Sequence, residues 1–421
     1  MIPLKLINTQ LNAFAAYVKI ARLRHGYSLR ELAKHTNLSH TFLNRIEHAS
    51  TSLTEESYRK IYKAFNQKLT YSIEHESYLE QQKHRFHDAL FYNDDELVES
   101  IHEQLKKHED YYMNSLDIID YLLCMQGFAY MRNVQFQEHV TLYDEYLLSI
   151  QGRLSKTQEA MFFMYRGLSR YSYGERSESL NDLLNAIEIT TDRKILALSS
   201  IIIGRIYSDQ YNLYKAEQYL SQARYLYDTF NHFMTSVFIQ TYQAINQLKL
   251  HRFEGLEETF ENLLEYENHP KFEPIKRTII IHYLLFMLLH GKFESVLSIS
   301  EYSKDDLQHR FYYALAAHHL KVTLNQNDYQ NILTKKVRKE LLIYQYGLDF
   351  ILDLNLRQTI DDKLFDKVKL FFDQAIEEKH YLEAQLGFPY MVNYYIDSRQ
   401  YKKAHQLNLT MMYLMSGEKE L

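Results

Sequence analysis

The sequence predicts an all-α chain, a small bundle of capped helices over residues 1–70 followed by a long array of stacked helix pairs. Three observations carry this. Only four Pro and 11 Gly occur in 421 residues, which leaves strand-and-turn architectures little punctuation. Apolar residues near the N-terminus recur at helical spacing between explicit start and stop signals. Further along, small residues return at Gly127, Gly167, Gly204 and Ala244, at intervals of 40, 37 and 40 residues, the period of repeating helix pairs.

The first helix is expected over Asn12 to His25, with Phe14, Val18, Ala21 and Leu23 apolar and Gly26 as a stop. Ser28-Leu-Arg-Glu31 reads as a capping box, in which the hydroxyl satisfies an exposed backbone N–H and Glu31 reaches back to the cap. The second helix therefore starts at about Leu29 and ends at Thr36-Asn37-Leu38. Ser39 caps a third, His40 to His48, and a fourth runs from Thr54 through Tyr58, Ile61, Tyr62 and Phe65. Leu32, Ala33, Leu38, Leu43 and Ile46 can pack inward together. That places His40, Thr41, Asn44 and Arg45 on the opposite face of the third helix, with side chains suited to base edges.

Charge separates the same two regions. Residues 1–70 hold 11 Lys and Arg against four Glu, a balance of +7, and the remainder 37 Lys and Arg against 50 Asp and Glu, a balance of −13. A compact basic domain on an acidic body points to nucleic-acid binding by the first part alone.

Over about 55 residues the chain resembles the lambda-repressor-like, or XRE-type, helix-turn-helix family. The resemblance lies in Ser-Leu-Arg-Glu-Leu-Ala at 28–33 and Leu-Ser-His-Thr-Phe-Leu-Asn-Arg-Ile-Glu at 38–47, followed by the fourth helix. It implies that His40, Thr41, Asn44 and Arg45 enter the major groove, Arg45 suiting guanine and Asn44 adenine, while Ser28, Arg30 and Ser39 fall near positions that hold phosphates. One departure concerns the end of the third helix. Where the family usually has a Gly, this chain reads Glu47-His48-Ala49-Ser50.

From about Glu74 onward the pattern is a train of amphipathic helices, about eight pairs for this length. Its clearest unit, Gly204-x-x-Tyr207 with Ala216, Leu220 and Ala223, resembles the tetratricopeptide (TPR) repeat. The resemblance implies a right-handed TPR-like α-solenoid whose first helices line a concave groove for extended peptides or partner helices. Offsets from the repeat anchors nominate Arg132, Arg205, Asp209, Lys249, Asn393 and Asp397 as peptide-binding residues of that groove. The domain plan is 1–70 for the helix-turn-helix domain, 71–75 for a short linker and 76–421 for a sensor and dimerisation domain. The region from Ser300 to Asp362 keeps no regular repeat.

Other chemistry finds little footing. A single Cys124 provides neither an intramolecular disulfide nor a cysteine-based zinc site and suits a reducing compartment. The most apolar stretch, Ile279 to Leu289, is too short to span a bilayer and contains His282, so a buried helix, no membrane association and a cytoplasmic location are expected. No Gly-rich phosphate loop, His-Glu-x-x-His motif or nucleophile elbow occurs, and His318-His319 lack metal-ligand spacing. The sequence offers no catalytic set, no metal site and no cofactor.

An XRE-type helix-turn-helix ahead of TPR-like helices resembles the RRNPP family of peptide-responsive regulators of Gram-positive bacteria. The resemblance implies a homodimeric transcription factor whose repeat domain binds a short signalling peptide and thereby changes how paired domains engage a double-stranded DNA operator with an inverted repeat, as in quorum sensing. The alternative is a DNA-anchored scaffold or repressor whose repeat domain docks another protein.

Overall fold

The computed structural model describes residues 4–66, 69–132, 137–266, 268–299, 306–324, 329, 333, 336–357 and 360–416. Among these every regular element is helical, and the one extended pairing is an isolated bridge between Thr70 and Ser115. Contacts divide the chain into two units, Met1–Tyr207 with Gln218–His232, and Ser208–Glu217 with Phe233–Leu421.

The first unit opens with a five-helix domain. A short helix that the sequence reading did not anticipate, α1 (Leu4–Thr9), precedes α2 (Leu11–Arg24), α3 (Leu29–Thr36), α4 (His40–Glu47) and α5 (Glu55–Phe65). Gly26 ends α2 as expected: at φ +67° it lets its own N–H reach Leu23 O and the Tyr27 N–H reach Arg22 O. Phe14, Val18, Leu32, Leu43, Ile46, Tyr58, Ile61 and Phe65 form the buried core.

The same unit continues with α6 (Ile73–Phe91), α7 (Asp95–Lys107), α8 (Glu109–Tyr112), α9 (Ile118–Arg132), α10 (Gln137–Ser149), a 3-10 turn (Gln151–Arg153), α11 (Lys156–Ser172) and α12 (Arg176–Ile189). Residues 71–75 hold the Ser72 cap and the first turn of α6, so the intended linker is mostly helix. Gly167 is where α11 meets α12. A Cβ there would lie 2.7 Å from Leu183 Cγ, and the Ser179 hydroxyl donates to Gly167 O at 2.7 Å.

Two helices, α13 (Arg193–Asp209) and α14 (Leu213–Thr229), have residues in both units. Tyr207, Ala216, Leu220 and Ala223, the expected repeat signature, are all buried. The second unit adds α15 (Phe233–Lys249), α16 (Leu256–Leu264), α17 (Glu273–Leu289), α18 (Phe293–Ile299), α19 (Leu307–His319), α20 (Leu342–Arg357), α21 (Asp362–Glu377), α22 (Tyr381–Asp397) and α23 (Tyr401–Ser416). Its core runs without a break from Val237 to Met411 and includes Phe260, Ile279, Phe311, Phe350 and Phe371. The apolar stretch at 279–289 is the interior of α17, where His282 Nδ1–H donates to Thr278 O at 2.7 Å. Among the described residues no helix is long and apolar enough to cross a membrane.

Candidate nucleic-acid interface

Two serine caps position the helix pair. The Ser28 N–H donates to Glu31 Oε2 at 2.7 Å while the Glu31 N–H donates to Ser28 Oγ at 3.2 Å, the complete capping box read from the sequence. Bonds from the Ser28 hydroxyl and the Ser28 backbone N–H hold the Glu31 carboxyl below its usual range. At the next helix the Phe42 N–H donates to Ser39 Oγ at 3.1 Å. Both serines are exposed, and each cap uses an oxygen lone pair beside the positive end of a helix. Asn37, in the left-handed region at φ 51°, makes the turn between the two helices.

Leu32, Leu43 and Ile46 face inward, with Ala33 and Leu38 half-buried behind them. His40, Thr41, Asn44 and Arg45 are all exposed on one side of α4, and Arg30 is exposed on α3. Among the described residues, no hydrogen bond or ion pair engages these five side chains. The structure thus places the seven expected residues at the surface of α3, α4 and the caps that precede them, with His40, Thr41, Asn44 and Arg45 together on one exposed side of α4.

The end of α4 explains the missing glycine. His48 closes the helix and Ala49 takes φ 49°, its N–H donating to Ile46 O at 2.9 Å and the Ser50 N–H to Arg45 O at 2.9 Å. This is the Schellman arrangement that usually recruits Gly, here built with an alanine.

The basic surplus of residues 1–70 is not all turned outward. Arg22 pairs with Glu47 and also donates to Tyr27 O at 2.8 Å; Lys19 donates to Ser149 O; Arg24 donates to Met113 O at 3.2 Å. With the surface pairs Arg59–Glu55 and Lys60–Glu56, five of the 11 cations counted in residues 1–70 bond to groups of the protein itself among the described residues.

The residues nominated for a peptide groove fall in several places. Arg132 ends α9, with its side chain outside the described residues. The Arg205 guanidinium lies 4.9 Å from the centre of the Tyr171 ring. Lys249 Nζ donates to Ser208 O at 3.0 Å and Ser208 Oγ at 3.2 Å and sits 4.9 Å from the centre of the Tyr211 ring. Burial lowers its pKa against the pull of the Asp209 and Glu383 carboxylates, so Lys249 and Asp209 do come together. Asn393 and Asp397 are exposed, one turn apart on α22.

Sequence reading missed a buried polar cluster in the second unit. Glu383 Oε1 accepts the hydroxyls of Tyr312 and Tyr344, each at 3.1 Å, and Gln308 donates to the Tyr312 hydroxyl at 3.0 Å. Burial opposes ionisation of Glu383, yet the bond and charge of His380 carry the carboxyl down to about 2. These partners are spread over residues 308–383, and no local spacing announces them.

Comparison with known proteins is consistent with this geometry. The helix-turn-helix family HTH_3 matches residues 18–72. The fold is similar to that of the apo form of the quorum sensor NprR from B. thuringiensis, with a TM-score of 0.60 at 14% identity over 81% of this chain and 99% of that one. It is also similar to a Rap protein crystallised with Competence and Sporulation Factor, with a TM-score of 0.58 at 13% identity over 80% of this chain and 98% of that one. No curated protein matches the sequence. The chain therefore carries an N-terminal helix-turn-helix domain of the HTH_3 family and has the TPR-like helical-repeat fold of NprR and Rap.

Proposed function

We propose that this protein is a cytoplasmic transcription regulator of the RRNPP type, a homodimer that reads an inverted-repeat operator and changes its grip on DNA when its repeat body binds a short signalling peptide. The observation that carries the DNA half is the exposed, unengaged set His40, Thr41, Asn44 and Arg45 on α4, flanked by the exposed helix caps Ser28 and Ser39. The sensor half rests on the fold shared with a quorum sensor and with a Rap protein solved with a bound factor. Asp209 and Lys249, which come together at the ends of α13 and α15, are the groove residues to which we assign peptide contact.

The test is selection of bound duplexes from a random DNA library with the full chain, followed by titration at several salt concentrations. The expected result is an inverted repeat with half-sites about one helical turn apart and a steep loss of affinity with salt. Candidate short peptides added to that complex are expected to shift its dissociation constant. Recovery of no preferred sequence would overturn the DNA half, and a protein partner that binds stoichiometrically while peptides leave the complex unchanged would replace the peptide half.

A further inference from the structure

The C-terminal end of α4 is finished by a residue 106 positions further along the chain. Arg153, in the 3-10 turn after α10, donates through Nε to Glu47 O at 2.8 Å and through Nη2 to the same oxygen. Glu47 is the last residue of α4, and its carbonyl is among those that a helix cannot satisfy internally, at the negative end of the helix dipole. A guanidinium from the repeat body supplies both the donor and the compensating charge.

The neighbouring contacts follow the same pattern. Lys19 on α2 donates to Ser149 O at the end of α10, and Arg24 on α2 donates to Met113 O just after α8. Leu147 and Ile150 are fully buried where α2 packs on α9, α10 and the 3-10 turn. The Glu47 carboxylate is in turn held by Arg22, so Arg153, Glu47 and Arg22 join the repeat body, the reading helix and α2 in one chain of bonds.

We propose that Arg153 is a positioning residue for DNA reading: by capping α4 from the repeat body it fixes the direction in which the reading helix points, without touching DNA itself. The inference rests on the proposed operator binding for its functional consequence. In a dimer, a fixed direction of each reading helix selects one half-site separation.

The experiment uses the full chain as wild type, Arg153→Ala and Arg153→Lys, on duplexes carrying the selected half-site once, or twice with the separation varied across one helical turn. Binding to a single half-site is expected to stay within about twofold in all three proteins, because the reading set is intact. The sharp separation optimum of the wild type is expected to flatten by about tenfold in Arg153→Ala and to be largely restored in Arg153→Lys, whose ammonium still donates to a carbonyl. An unchanged optimum in Arg153→Ala overturns the proposal, as does an equal loss on single half-sites, which would make Arg153 a support of the domain's fold. If the wild type binds no duplex, the operator reading fails separately. Amide exchange then decides: faster exchange in α2 and the end of α10 in Arg153→Ala upholds the clamp, and identical exchange removes it.

Discussion

Arg22 grips Glu47 with two parallel bonds, Nε to Oε1 at 2.6 Å and Nη2 to Oε2 at 3.1 Å, and so ties α2 to the last residue of α4. The carboxylate side chain is only 4% exposed and the guanidinium 12%, so removing either partner strands a charge away from water. Arg22→Ala is expected to destabilise the helix-turn-helix domain by about 3 kcal/mol, lowering its transition in differential scanning calorimetry. A shift no larger than that of an exposed pair such as Arg59–Glu55 would contradict this.

Ala49 offers a substitution in the opposite direction. An alanine held at φ 49° bears a steric cost that glycine does not. Ala49→Gly is expected to stabilise the domain by about 1 kcal/mol in chemical denaturation while leaving DNA affinity unchanged, because residue 49 lies beyond the reading set.

On α4, Asn44→Ala combined with Arg45→Ala is expected to remove sequence preference, each lost base contact weakening the preferred site by about 1–3 kcal/mol in competition binding. Arg30→Ala should behave differently. It is expected to weaken all sequences alike and reduce the salt slope by about one. Preserved sequence preference in the double variant would place the reading surface elsewhere.

At the junction of α11 and α12, Gly167→Ala drives a methyl into Leu183 Cγ at 2.7 Å and Cδ2 at 2.8 Å, with Asp182 Cβ at 3.3 Å. Overpacking of this kind is expected to cost about 1–3 kcal/mol, read as a lower melting temperature of the repeat body. Full retention of stability would mean that the two helices separate without penalty.

Two acids pull stability in opposite directions with pH. Burial raises Asp144 to about 6 in spite of the bond it accepts from Gln126, whereas Glu383 is lowered to about 2. Folded Asp144 holds its proton more tightly than the unfolded chain does, so its contribution favours the folded state below pH 4 and is lost as pH rises through 6. Glu383 contributes above its unfolded value near 4.5, and that contribution disappears as pH falls toward 2. Asp144→Asn keeps an acceptor for Gln126 and removes the charge. It is expected to raise stability at pH 7 by on the order of 1–2 kcal/mol and to flatten the pH profile between 4 and 6 in calorimetry.

What could be read from the sequence was what depends on near neighbours. Ser28 with Glu31 and Ser39 with the turn before it are separated by three residues or fewer, and their alternation with Leu32, Leu43 and Ile46 fixes which side of α4 is wet. Gly167 and Ala216 announce close helix pairs because only small residues permit them. The Arg153–Glu47 bond and the tyrosines around Glu383 join residues 106, 71 and 39 positions apart, where no periodicity operates. The charge count could not tell internal from outward cations for the same reason: Lys19, Arg22 and Arg24 look like any surface cations until the carbonyls and carboxylate they meet are in place.

Thr70 gives the connection between domain and body a mechanical character. Its N–H donates to Asn114 O at 2.8 Å and it pairs with Ser115, so the chain leaving the helix-turn-helix domain is fastened to the body before α6 begins. A domain attached here and along α2 is a lever and not a bead on a string. With these two attachments the direction of α4 follows that of α9 and α10 more closely than a flexible tether alone would allow.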